Sequence, residues 1–205
     1  MDKIICYIKE KYNPLSIIVY GSYANGTNSE HSDFDGLVIS RDHEIFHDTA
    51  FVHGVQLDLF VYPAEHFEGD FDRDEVLQIF DGKVVLDIEG RGETLKHQVL
   101  EHIRQQPKKT VKEVAESLDW CRKMLLRTKR NDTESLFRWH WLLTDSLEIF
   151  CDITGQPYWG PKKSLEWMKC QYSPAYEIYS QALKDFTPSA LETWVEYLER
   201  ICFEQ

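Results

Sequence analysis

The 205-residue chain lacks several features that would place it in a class at once. No apolar run approaches the roughly 20 residues that span a bilayer. Met1 to Lys9 does not read as a secretory leader, because Lys9 breaks the apolar segment early and no small-residue cleavage site follows. Five cysteines (Cys6, Cys121, Cys151, Cys170, Cys202) stand singly, with no paired metal-ligand spacing. An odd count without a leader argues for reduced thiols in a cytoplasmic protein. Basic charge is short as well: 23 Lys and Arg against 35 Asp and Glu give a net charge of −12. The basic clusters, Lys108-Lys109 and Arg127-Thr128-Lys129-Arg130, are too brief to form the track that displaces counterions from a long nucleic acid. An acidic surface favours a cationic partner instead, since long-range attraction raises encounter rates. There is no internal repeat and no low-complexity tract.

What is present suffices for real cores: 42% of residues are hydrophobic and 13% aromatic. The length fits one large or two small domains. Short β-branched runs with glycine turns occupy the first half, and long helical patterns follow Gly90-Arg91-Gly92. This order predicts an α+β chain with a hinge there, dividing residues 1–91 from 92–205.

The densest signal lies early. Ser16 to Tyr20 reads as a buried strand entering a tight turn at Gly21-Ser22. Gly21 lets backbone approach a ligand without a Cβ in the way, and a short helix ending at Gly26-Thr27 follows. Asp33 and Asp35 stand two apart at the mouth of a second strand, Gly36 to Ser40, so both carboxylates should project to one face. Asp58 interrupts the apolar run Val55 to Tyr62, where a lone buried charge is costly unless paired or bound to metal. Convergent carboxylates of this kind suit Mg²⁺, and two such ions can clamp an in-line phosphoryl displacement. His43-Glu44-Ile45-Phe46-His47 also matches the zinc pattern His-Glu-x-x-His. With few helical residues around it, the match reads as chance in a connecting segment.

In Gly21, Ser22, Ala24, Gly26, Ser32, Asp33, Asp35 and Asp58 the chain resembles the DNA polymerase beta-like nucleotidyltransferase superfamily. It is most similar to the branch of minimal nucleotidyltransferases and antibiotic-modifying adenylyltransferases. Asp81 to Asp87 resembles the closing strand of that module, whereas Asn25 replaces an arginine usual in the minimal enzymes. The resemblance covers roughly residues 15–90. It implies a mixed sheet flanked by helices, followed by a C-terminal helical bundle that binds substrate. Gly21 and Ser22 would contact a nucleoside triphosphate. Asp33, Asp35 and Asp58 would hold two Mg²⁺ ions, and Asp58 would take the acceptor proton. A homodimer that completes the site across two copies is also implied.

In the second half, Val111, Val114, Leu118, Cys121 and Leu125 recur at helical spacing. So do Leu136, Trp139, Leu143, Leu147 and Phe150, with Gly155-Gln156-Pro157 as a stop. A last helix is predicted from Ser189 to about Phe203. Lys162 and Lys163 begin a helix after Pro161, where cations oppose the helix dipole. They resemble the lysine that reaches the triphosphate from the helical half of related enzymes, and equally an exposed lysine pair. Trp141, Asp145 and Glu148 are candidate acceptor contacts, with Asp145 or Glu148 as general base in place of Asp58. Core packing accounts for one tryptophan face around Trp139-His140-Trp141.

The leading expectation is a Mg²⁺-dependent enzyme moving AMP, or another NMP, from a nucleoside triphosphate to a hydroxyl of a small cationic molecule such as an aminoglycoside-like antibiotic. A protein side chain modified by an antitoxin-type enzyme is the alternative acceptor. A nucleotide-binding protein without turnover is the third reading.

Overall fold

The computed structural model describes residues 1–130 and 132–204. The chain forms two compact units, Met1–Gln106 and Pro107–Gln205. The first contains α1 (Asp2–Tyr12), β1 (Pro14–Val19), α2 (Gly21–Asn25), β2 (Phe34–Ser40), β3 (Phe46–Asp48), β4 (Phe51–Val52) and β5 (Val55–Pro63). Two 3-10 segments, Ala64–Phe67 and Arg73–Asp81, lead to β6 (Lys83–Asp87) and α3 (Arg91–Gln105).

The strands form a six-stranded mixed sheet in the order β3-β5-β2-β1-β6, with β4 paired to β5 off that path. β1 is antiparallel to both neighbours, while β2 and β5 run parallel. Every residue of β1 is buried, so this strand has no solvated face. On one side Ile17, Val19, Phe34, Val38, Leu57, Leu59 and Val61 pack under Ile4, Ile8 and Tyr12 of α1. On the other, Ile18, Leu37, Ile39 and Tyr62 meet Val76, Ile79, and Leu95 and Val99 of α3. The alternation expected in β5 is realised, and Asp58 lies on the second face.

The break between units falls at Gln106–Pro107, one helix later than the hinge read at Gly90-Arg91-Gly92. The cause is local. Gly92 lies so close to β1 and β6 that a Cβ there would run into the Ser16 hydroxyl and come within 3.1 Å of Val84 Cγ1. Asp87 accepts from the N–H groups of Gly92 at 2.8 Å and Glu93 at 3.2 Å, which satisfies two orphan donors at the start of α3. Gly92, which reads as part of a flexible joint, is here a close-packing contact.

The second unit is helical: α4 (Val111–Thr128), α5 (Thr133–Ile153), α6 (Gly160–Gln171), α7 (Ser173–Asp185) and α8 (Pro188–Glu204). Thr110 with Glu113, and Asp132 with Ser135, close capping boxes on α4 and α5. Gly155, at φ 66°, follows α5 where a stop was expected. The core gathers around Phe150 and Trp194. Two of its polar groups are matched, Trp194 Nε1 donating to Ser146 Oγ at 2.8 Å and the Tyr179 hydroxyl to the Leu143 carbonyl at 2.6 Å, whereas Trp139 Nε1 is buried without a hydrogen-bond partner among the described residues. Val111 and Leu136, placed on apolar stripes by their spacing, are exposed near the starts of their helices. Among the described residues no helix is long and apolar enough to cross a membrane.

α1 is tied to the sheet edge by one buried polar contact. The fully buried Tyr12 donates its hydroxyl to Asp48 of β3. Asp48 also accepts from Lys11 Nζ at 3.1 Å and from the Ala50 N–H at 2.9 Å. Burial raises the pKa of Asp48, but the hydrogen bonds from Tyr12, Ala50 and Lys11 outweigh it and leave the carboxyl below its ordinary value. A depressed carboxylate pKa contributes stability above the unfolded-state value, and that contribution is lost as pH falls through the folded-state value. Asp48→Asn is therefore expected to cost about 1–3 kcal/mol at pH 7. Urea unfolding should show the deficit shrinking as pH drops below the unfolded aspartate pKa of about 3.9.

Candidate active site

The site grows from strand register. Asp35 on β2 is the direct partner of Asp58 on β5. Paired residues of parallel strands point to the same face, and the strands lie about 4.8 Å apart. Two like charges thus stand side by side at the start of the parallel pair, each partly exposed. Chain entry is fixed by the Tyr20 N–H, which donates to the Asp35 carbonyl at 3.2 Å. Gly21 then turns at φ 65°, with its Cα against the Asp35 side chain. A Cβ at Gly21 would come within 2.9 Å of Asp35 Cγ, so this position needs glycine for conformation and for space. Ser22 is buried in α2, and Gly26 ends that helix at φ 71° as expected.

Asp58 has a partner that the sequence did not reveal. His47 Nε2 donates to Asp58 Oδ1 at 2.5 Å. The imidazole lies flat on Phe60, its register partner across β3 and β5, with centroids 4.3 Å apart and planes 6° from parallel. Tyr20 is the second residue missed. Burial pushes its phenol pKa up, and the charges of Asp58 and Asp35 push it further while a hydrogen bond with Gln78 opposes them. The only sequence signal for His47 was its place in the His-Glu-x-x-His match. That match lies on no helix: His43 bonds Ser40 Oγ at 2.9 Å, while His47 sits in β3 facing Asp58. The two imidazoles thus serve separate contacts.

Of the three carboxylates expected to converge, strand register pairs Asp35 with Asp58. Asp33 is exposed in the loop before β2, where strand alternation does not yet govern its direction. Among the described residues no three His, Cys, Asp or Glu side chains group closely enough to hold a metal ion. The donor chemistry of the Asp35–Asp58 pair nonetheless fits a hard divalent cation: both groups are oxygen donors, partly open to water, and mutually repulsive.

In the helical unit, Lys162 and Lys163 occupy the first turn of α6, with Lys162 exposed and Lys163 half-buried. The tryptophans of α5 divide: Trp139 is buried against Phe186, while Trp141 is 42% exposed. Trp141 Nε1 donates to Asp145 Oδ2 at 2.6 Å, and its ring meets Trp120 edge-on at 5.7 Å. Asp145 and Glu148 line a groove of about 480 Å³ together with Glu113, Glu116, Trp120 and Lys109. Lys109 is neutralised by Asp152 at 2.6 Å, so the groove wall is predominantly anionic.

Residues 1–114 match the family described as the nucleotidyltransferase domain, and the chain belongs to that family of nucleotidyl-transferring enzymes. Comparison with curated proteins gives no match. Among solved structures, one of a toxin-antitoxin with AMP-PNP is similar at 19% identity, over 50% of this chain and 86% of that one, with a TM-score of 0.35. A nucleotidyltransferase-like protein from Exiguobacterium sibiricum 255-15 is similar at 15% identity, over 98% of this chain and 72% of that one, with a TM-score of 0.40. Likeness at that level says nothing of substrate.

Gly21→Ala is expected to force the Asp35 carboxylate aside and to strain the turn, at a cost of order 1–3 kcal/mol. Thermal unfolding should register the loss. A Gly21→Ala protein as stable as the parent would rule out the close approach as a constraint on this position.

Proposed function

We propose that the chain transfers a nucleoside monophosphate, AMP from ATP, to a hydroxyl of a small cationic molecule of the aminoglycoside type, and releases pyrophosphate. The observation that carries this reading is the in-register Asp35–Asp58 pair beside the Gly21 turn, in a chain of the nucleotidyltransferase domain family. Gly21 and Ser22 would receive the triphosphate at the turn beside Asp35. Asp33, Asp35 and Asp58 would hold two Mg²⁺ ions. When bound, Mg²⁺ supplies neutralising charge at the phosphates and polarises oxygen.

The acceptor oxygen forms a bond to the α-phosphorus as the bond to the bridging α–β oxygen breaks. Pyrophosphate leaves with that electron pair, and the hydroxyl proton passes to Asp58, or to Asp145 or Glu148 in its place. Positioning and charge neutralisation carry such a transfer, and no protein nucleophile is needed. The anionic groove of the helical unit, with Trp120 in its wall, is the proposed seat of a polyamine-like acceptor. Amines there would meet carboxylates, and apolar ring faces would meet the tryptophan. Lys162 or Lys163 is proposed to contact the triphosphate.

Labelled ATP, Mg²⁺ and a panel of cationic hydroxylated compounds test the reading. Turnover is expected to fall by about a hundredfold or more in Asp35→Ala and Asp58→Ala. Asp145→Asn should instead raise the KM for the acceptor. Neither ATP binding nor turnover in the parent chain, or an Asp35→Ala variant as active as the parent, would end it. A gain of one nucleotide in the intact mass of a co-purified protein would move the acceptor to a protein side chain.

A further inference from the structure

We infer that His47 is the positioning residue of Asp58, holding its carboxylate in the orientation that accepts a divalent cation. The inference rests on the reading of Asp58 as a metal ligand. Its basis is a chain of packed groups running from the core to that carboxylate.

β3 is an edge strand of three residues, and both of its faces are engaged. On the α1 side, Tyr12 grips it through the buried hydroxyl contact to Asp48 and a ring contact with Phe46 at 5.6 Å. His47, the middle residue, projects to the opposite side, as strand alternation requires. Its ring is fixed twice, by the flat stack on Phe60 and by the 2.5 Å hydrogen bond from Nε2 to Asp58 Oδ1. Exposure of 42% for His47 and 40% for Asp58 leaves the pair open to solvent and ligand.

A surface ion pair between two long side chains would hold neither in place. Here the donor is a rigid ring clamped between an anchored strand and an aromatic shelf, so its direction is set before any ligand arrives. Asp35 lies beside Asp58 with the same charge, and repulsion alone would turn the Asp58 carboxylate away from its neighbour. The Nε2–H bond to Oδ1 opposes that rotation. Hydrogen-bonded support of a ligating carboxylate is a general means of raising metal affinity.

Mn²⁺ titration of the whole chain, read by the loss of free-ion electron paramagnetic resonance signal and without nucleotide, tests this apart from turnover. His47→Phe keeps the stack on Phe60 and removes the donor. It is expected to weaken Mn²⁺ binding about 10- to 100-fold. His47→Gln, whose amide nitrogen reaches the place of Nε2, should recover most of that loss. Parental affinity in a folded His47→Phe protein overturns the inference, and so does a His47→Gln protein as weak as His47→Phe. If His47→Phe does not fold, His47→Gln against the shorter His47→Asn makes the same comparison, and equal affinity there overturns it. Asp58→Asn separates the two levels. Unchanged Mn²⁺ binding in Asp58→Asn, or no binding by the parent chain, defeats the ligand reading and this inference with it. Weakened binding in Asp58→Asn beside a normal His47→Phe defeats His47 alone.

Discussion

The parallel pairing of β2 with β5 governs the N-terminal unit. Its register sets Asp35 opposite Asp58 and, in the same stroke, sends Leu57, Leu59 and Val61 under α1. Because strand side chains alternate, a slip of one residue would drive the charge of Asp58 into that apolar layer and lift the leucines out of it. Burying an uncompensated carboxylate is costly, so the register is strongly determined. The Gly21 turn, the Tyr20 phenol and the β3 edge all take their places relative to this one pair of strands.

Two kinds of surface are kept in two separate units. The sheet unit presents closely spaced carboxylates among aromatic rings on a rigid strand pair, which suits chemistry that needs fixed charges. The helical unit presents an anionic groove on α4 and α5, whose side chains can vary without disturbing any strand register. The family match ends in the first turn of α4. The nucleotidyltransferase match therefore lies almost wholly in the sheet unit.

Much of this was legible in the sequence because it rests on local rules. Strand alternation placed Asp58 on the face away from Leu57 and Leu59, and glycine at a strand end marked the Gly21 turn. Helical periodicity found α4, α5 and α8, with errors at Val111 and Leu136, which are exposed near the starts of their helices. What escaped depended on contacts between residues far apart in the chain. His47 meets Asp58 only because an edge strand returns antiparallel to β5, a pairing no spacing announces. Asp33 lies in the loop just before β2, which begins at Phe34 rather than at Gly36, because strand boundaries are poorly marked by composition. Gly90-Arg91-Gly92 misled for another reason: glycine signals both freedom and tight packing, and only the presence of Ser16 beneath Gly92 separates them.

That packing decides where the molecule can be divided. Leu95 and Val99 of α3 pack with Ile18, Leu37 and Ile39, so a fragment ending at the glycine pair would lose part of the cover on that face. One ending after Gln106 would retain both apolar layers and the Asp87 cap. The excisable module thus carries its own roof, and Pro107 to Thr110, outside any helix or strand, form the seam along which a different helical half could be spliced.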